Sequence, residues 1–313
     1  MTEKHRIVFA GTPEFARITL AGLRQGPEAI VGVFTQPDRP AGRGRALQAS
    51  PVKQEALAAG IPVFQPESCK TGEALELLRS LTPDLLIVVA YGQILPQAIL
   101  ALPARGAINV HASLLPAWRG AAPIARAIAA GDKESGVAIM QMEAGLDSGP
   151  VLWEERVPIA ADDTAASLHD RLARLGGKAL RHVLDDLWAE RLKPVPQDPA
   201  LVTYARKLKK EEALLDWRLP ATTLERLVRA FNPSPVAHTL FRDKGLRVWQ
   251  TRVLGAGGDQ PPGSISAVEK DGVVVTCGED RLQLLAVQPA GKGVLSGSDF
   301  ARGYRPQVGE VLG

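Results

Sequence analysis

The chain is short of cysteine, has no long apolar run, and carries almost no net charge. Each shortage removes a class of protein. Cys69 and Cys277 are the only cysteines among 313 residues. They lie far apart without metal-ligand spacing, so neither a disulfide framework nor a metal site is expected, and a reducing compartment is the default. The longest apolar run, 85–91, falls far short of the roughly 20 residues that cross a bilayer. The opening MTEKHRIVFAG passes straight from polar residues into a strand, without the apolar stretch of a secretory signal. A cytoplasmic protein with no membrane contact is the expectation. Several chemical motifs are missing too. FAGTPEF offers one glycine after the first strand where a dinucleotide fingerprint has three, which disfavours NAD. There is no phosphate loop, no histidine pair at helical spacing for zinc, and no Gly-x-Ser-x-Gly nucleophile elbow.

Length points to two domains, at roughly 100–200 residues each. The first half alternates apolar runs with amphipathic stretches. Strands are expected at 6–11, 30–35, 61–64, 84–90, 107–111, 135–142 and 150–158. Helices are expected at 13–22, 51–59, 72–80, 123–130 and 164–187, with Thr12 capping the first and Pro13 opening it. Such alternation implies a Rossmann-like α/β domain: a mostly parallel sheet, covered on both faces, with ligands at the carboxyl ends of its strands. The pattern breaks at KPVPQDP, a Pro-rich stretch that reads as a linker. Beyond it come helices at 208–217 and 221–232. Short strands follow at 247–254, 263–268, 272–277 and 281–287, separated by turn residues, as in a small OB-like β-barrel. The expected boundaries are a catalytic domain over 1–190, a linker over 191–207 and a barrel over 208–313. The net charge of +3 conceals an asymmetry: from Arg206 onward there are 16 Lys+Arg against 12 Asp+Glu. That mild excess is compatible with nucleic acid and equally with an ordinary solvated surface.

The segment AINVHASLLPAWRGAAPI, 107–124, is the richest in chemistry. Asn109 and His111 lie two apart on a strand, so their side chains share one face. Asp147 sits in a loop between Gly145 and Gly149. Taken singly, each has a bland reading: a loop-binding Asn, a structural His, a turn Asp. Together they suit acyl transfer to an amine, which passes through a tetrahedral intermediate with an oxyanion. An Asn amide or a His can donate to that oxygen, a His can carry the proton, and a carboxylate can fix the tautomer of the His. No metal or covalent nucleophile is needed.

Asn109-x-His111 followed by Ser113-Leu114-Leu115-Pro116, with Asp147 downstream, resembles the 10-formyltetrahydrofolate-dependent formyltransferase family. The resemblance implies catalytic roles for Asn109, His111 and Asp147. It implies folate binding by Ser113, Leu114, Leu115 and Pro116, and a pterin pocket lined by 89–94, including Tyr91 and Gly92, and by 141–143, including Gln141. Acceptor choice must come from elsewhere. The long loop FTQPDRPAGRGRALQASPVK carries Arg39, Arg43, Arg45 and Lys53 against Asp38. It resembles the insertion that family members acting on methionyl-tRNA set against the acceptor arm. YARKLKKEEALLDW, RAFNPSP and LAVQPAGK resemble the barrel of that same branch, with Ser234 where relatives commonly carry Trp. The implied acceptor is initiator methionyl-tRNA, contacted by Arg39, Arg43, Arg45, Lys207, Lys209 and Lys210. A monomer is expected. Sugar-nucleotide formyltransferases, an idle RNA-binding protein on this fold and a NAD-dependent oxidoreductase are the alternatives.

Overall fold

The computed structural model describes residues 4–41, 46–257 and 260–313. The chain forms two units. The first comprises Met1–Pro123, Glu134–Pro158 and His169–Ala205. The second comprises Ile124–Lys133, Ile159–Leu168 and Arg206–Gly313.

The N-terminal part runs through β1 (Arg6–Gly11), α1 (Glu14–Leu23), β2 (Ala29–Phe34), a short ribbon of β3 (Arg39–Ala41) and β4 (Ala46–Gln48), α2 (Pro51–Ala58) and β5 (Val63–Phe64). It continues with α3 (Gly72–Ser80), β6 (Leu85–Val89), α4 (Gln97–Leu100), β7 (Ala107–His111), β8 (Arg119–Gly120), α5 (Pro123–Ala130), β9 (Glu134–Gln141), β10 (Val151–Pro158), α6 (Ala165–Trp188) and β11 (Tyr204–Ala205). Seven strands form one sheet in the order β10-β9-β7-β6-β1-β2-β5. Five of them, β7 through β5, are parallel, and β9 and β10 pair antiparallel on the β7 side. The continuous apolar run of β6 is buried at every position, as a strand covered on both faces requires. From β1 the chain builds outward to β2 and β5, then returns to place β6 on the other side of β1. Strand order therefore reverses between β1 and β6, which opens a crevice at their carboxyl ends.

One local expectation fails at that crevice. Thr12 does not cap α1. Its hydroxyl donates to the Tyr91 carbonyl at 2.8 Å, while Pro13 occupies the cap position without a side-chain bond. A carbonyl presented across the strand reversal wins over the helix amides.

The second unit adds α7 (Ala221–Ala230), β12 (His238–Phe241), β13 (Lys244–Leu254), β14 (Ile265–Glu269), β15 (Gly272–Thr276), β16 (Arg281–Pro289), β17 (Leu295–Ser296) and α8 (Gly297–Tyr304). Its sheet is antiparallel in the order β12-β13-β16-β15-β14, with β17 on β16. The two edges meet through the C-terminal segment. The Gly313 amide donates to Leu240 of β12 at 3.1 Å, and the Leu312 amide donates to Gly263 beside β14 at 2.8 Å. This closes the expected small barrel around Val248, Val273, Val275, Leu282, Leu284 and Phe300. The helix expected over 208–217 is absent. Only a single 3-10 turn, Lys210–Ala213, forms there, because the Leu215 amide is drawn to the His238 carbonyl at 2.8 Å. Trp217 is buried, its indole N–H donating to the Thr239 hydroxyl at 3.0 Å. Among the described residues no helix is long and apolar enough to cross a membrane.

Candidate active site

β7 lies between β6 and β9, with Asn109 opposite Val88 on one side and Met140 on the other, and His111 opposite Ala138. Asn109 and His111 share a strand face and are nearly buried, 8% and 6% exposed. The Asn109 carboxamide forms no side-chain hydrogen bond among the described residues, and its polar atoms are not sealed off in the core. It is available to a ligand. His111 is held by a hydrogen bond at Nε2 and faces a carboxylate at Nδ1. Nε2 lies 2.9 Å from the Trp118 carbonyl; a carbonyl only accepts, so Nε2 bears a proton. Nδ1 lies 3.8 Å from Asp147 Oδ2. That oxygen also accepts the Gly120 amide at 2.8 Å. Three residues around this one imidazole have left-handed or positive φ: Trp118 at 61°, Asp147 at 48° and Gly120 at 118°. Such backbone persists where surrounding bonds enforce it and gathers at functional sites.

The segment after β7 is a compact turn. Ser113 is 1% exposed and its hydroxyl donates to the Ala117 carbonyl at 2.6 Å, so Ser113 shapes the turn from inside. Leu114 packs on Gly136 of β9. Leu115 is buried with Ala138 and Met140. Pro116 is half-buried. Gln141 is exposed at the end of β9, where Gly149 sits so tightly against its carbonyl that no side chain fits.

Tyr91 departs from the expectation of a pocket wall. Its ring lies in the core, 2% exposed, and lines an apolar cavity of about 10 Å³ with Phe34, Leu86 and Ile99. The Tyr91 hydroxyl is 3.4 Å from Cys69 Sγ, and burial raises both the phenol and the thiol above their ordinary pKa values. Only the backbone of Tyr91 faces the switch point: its carbonyl accepts from Thr12 and, at 3.0 Å, from the Gln36 side chain. Gly92 follows with φ 81°.

Gln36 belongs to a polar network at the root of the basic loop. The Gln65 amide donates to the Gln36 carbonyl at 2.9 Å and to Asp38 Oδ1 at 2.8 Å. Lys53 Nζ donates to Asp38 Oδ2 at 2.6 Å and to Gln65 Oε1 at 2.8 Å. The Lys53 bond, with Gln65 next, holds the Asp38 carboxyl below the usual range. Lys53 therefore serves the fold rather than adding free positive charge to the loop. Arg39 is exposed, as are Lys207, Lys209 and Lys210. Arg43 and Arg45 lie outside the described residues. Among the described residues no group of three or more His, Cys, Asp or Glu side chains is placed to hold a metal ion.

The structure thus brings Asn109, His111 and Asp147 together with the turn at 113–116. Sequence reasoning placed Gly120 in the connection after the strand where sites are built, but gave no specific role to it or to Trp118, Gln36 and Gln197. Trp118 meets His111 through its carbonyl and Gly120 meets Asp147 through its amide, atoms that residue type does not announce. Gln36 and Gln197 were hidden inside stretches read by composition as loop and linker.

Comparison with known proteins gives the class. Residues 5–184 match the formyl transferase family and residues 207–305 match the formyl transferase C-terminal domain. The chain belongs to the formyl transferase family. It is 96% identical over 313 residues to a methionyl-tRNA formyltransferase of Acidithiobacillus ferrooxidans, covering 100% of both chains. It is 53% identical over 315 residues to the methionyl-tRNA formyltransferase of Pseudomonas fluorescens, covering 100% of this chain and 98% of that one. Its fold is shared with HypX from Aquifex aeolicus, solved in complex with tetrahydrofolic acid, at a TM-score of 0.65 and 16% identity over 98% of this chain and 49% of that one.

Proposed function

We infer that the chain transfers the formyl group of 10-formyltetrahydrofolate to the amino group of initiator methionyl-tRNA, giving N-formylmethionyl-tRNA for translation initiation. One observation carries the catalytic reading. Asn109 and His111 share a buried strand face, and the Asp147 carboxylate lies 3.8 Å from His111 Nδ1. The neutral methionyl amine attacks the formyl carbon, forming a C–N bond and leaving negative charge on the formyl oxygen. Asn109 donates its unengaged amide N–H to that oxygen, a contribution of about 10²–10³ in rate for donors of this kind. His111 exchanges a proton at Nδ1, because Nε2–H is committed to Trp118. The proton passes from the attacking amine to the departing folate nitrogen as the old C–N bond breaks. Asp147 orients the ring.

The folate lies against the 113–116 turn, with Gln141 at its margin, and meets Tyr91 and Gly92 through main-chain groups. The carboxyl-end crevice of a doubly wound sheet supports this placement. Arg39 of β3, with Arg43, Arg45, Lys207, Lys209 and Lys210, contacts tRNA phosphates. The enzyme works as a cytoplasmic monomer.

Acceptor competition tests the reading. Formyl transfer is measured from 10-formyltetrahydrofolate to initiator methionyl-tRNA, elongator methionyl-tRNA and an amino-sugar nucleotide. Transfer to the initiator alone is expected, and His111→Ala should slow it about 10²–10⁴-fold. Transfer only to the sugar would overturn the acceptor assignment.

A further inference from the structure

The Pro-rich stretch between the two family matches, read from composition as a linker, is a strap bound along the catalytic centre. The Val195 amide and carbonyl pair with Val151 at 2.8 Å each way. Two residues on, Gln197 reaches inward while its neighbours stay exposed. Its amide nitrogen donates to the Asp147 carbonyl at 2.9 Å and to the Gly149 carbonyl at 2.7 Å. Its amide oxygen accepts Arg119 Nε at 3.0 Å and Nη2 at 2.7 Å. Farther along, the Thr203 hydroxyl accepts the Trp118 amide at 2.9 Å, and the Thr203 carbonyl accepts the Arg119 amide at 2.9 Å. Ala205 pairs with Gly120.

These bonds end on the groups that surround His111. Trp118 supplies the carbonyl to Nε2, Gly120 supplies an amide to Asp147 Oδ2, and Asp147 faces Nδ1. Gln197 uses all its polar capacity on one side of this arrangement. It fixes the main chain of Asp147 and Gly149 relative to Arg119, the neighbour of Gly120. Asp147 holds a left-handed φ of 48°, a conformation that needs support from outside the residue.

We propose that Gln197 is a positioning residue for formyl transfer, and that the strap over 195–205 is part of the catalytic scaffold rather than a tether. Gln197 touches no substrate. It acts through Asp147, so this inference rests on the catalytic reading of Asp147 and His111.

The test compares Gln197→Leu, Asp147→Asn and the double variant in single-turnover formyl transfer to initiator methionyl-tRNA, with both substrates saturating. Leu keeps the bulk of Gln and removes both donors and the acceptor. Gln197→Leu should lower the rate about 10-fold or more, with KM for folate and tRNA within about threefold, since small displacements of reacting groups are costly. The double variant should be no slower than Asp147→Asn alone, because a residue acting through Asp147 has nothing left to position. Thr203→Val, which removes the acceptor for the Trp118 amide from an exposed position, should lower the rate about 3–10-fold. A wild-type rate in Gln197→Leu, or losses that multiply in the double variant, would overturn the proposal. Wild-type turnover in Asp147→Asn would overturn the catalytic reading beneath it, which is a separate outcome.

Discussion

Replacing Gly120 by Ala puts two loads on one residue. Its φ of 118° lies where side-chain-bearing residues are rare, and holding a non-glycine residue there costs about 1–3 kcal/mol. The added methyl would also stand 2.8 Å from the Ala205 carbonyl oxygen and 3.4 Å from its carbon. Both obstacles are main chain, so no rotamer change relieves them. β8 must part from β11 by a few tenths of an ångström, and overpacking of this kind adds about 1 kcal/mol or more. The sum, about 2–4 kcal/mol, corresponds to a fall of about 5–10 °C in Tm for a unit of this size. The same displacement carries the Gly120 amide away from Asp147 Oδ2, now 2.8 Å distant. Losing that bond frees the carboxylate that faces His111, and since a misplacement of about 1 Å costs about 10²-fold, a shift of a few tenths of an ångström with loss of this bond should cost about 10-fold in the chemical step. Single-turnover formylation, read by separating formylated from free methionyl-tRNA, should show that loss well below the melting transition. A Gly120→Ala enzyme with wild-type rate and Tm would refute the claim that this backbone position sets the geometry of Asp147.

Two further outcomes follow from the polar networks. Gln36→Leu removes one of the two donors to the Tyr91 carbonyl, so affinity for a non-reactive folate analogue, measured by titration calorimetry without tRNA, should weaken about 3–10-fold; unchanged affinity would separate the Gln36 contact from the donor site. In the second unit, hydrogen bonds from Arg218 hold Asp216 at about 2 against an ordinary 3.8, while Arg126 and Arg242 hold Glu212 and Glu310 below their ordinary 4.5. Folded values are depressed, so the stabilisation is present above the ordinary carboxylate range and is lost as pH falls toward about 2. The urea midpoint should fall across that window, less steeply in Asp216→Asn/Glu212→Gln/Glu310→Gln and at high salt, because these pairs are exposed and screened. Identical slopes would discount the three pairs.

Much of the first unit was legible because its strands are short apolar runs between breakers. LLIVV and AINVH can be little else, and GEALELLRS carries helical spacing between Gly72 and the break after Ser80. Asn109 and His111 were legible together because a period of two places them on one face. The same reasoning failed one residue past a strand. Tyr91 follows Ala90, whose φ is 44°, so alternation stops there and the ring turns into the core instead of toward the crevice. It failed again at 208–217, where charged and apolar residues have helical spacing but a neighbouring strand claims the backbone. The closing barrel strands were partly hidden for the same reason: β12 has only four residues and depends on pairing with β13.

What stayed illegible at the catalytic centre has one common property. His111 is oriented by the Trp118 carbonyl, Asp147 by the Gly120 amide, and the Asp147 loop by carbonyls that receive Gln197. Every residue has a carbonyl and nearly every one an amide, so residue type cannot announce which of them will converge. The motif residues supply the chemistry and can be read in a line of sequence. Their geometry is set by main-chain groups that meet only when β8 pairs with β11, some 85 residues later in the chain. A site built this way should respond sharply to changes in backbone conformation at Gly120 or Gly149 and to loss of the contact between the Arg119 guanidinium and Gln197. In this chain the motif supplies side chains for the chemistry, and the scaffold, Gln197 included, acts on them through the main chain of Trp118, Gly120, Asp147 and Gly149.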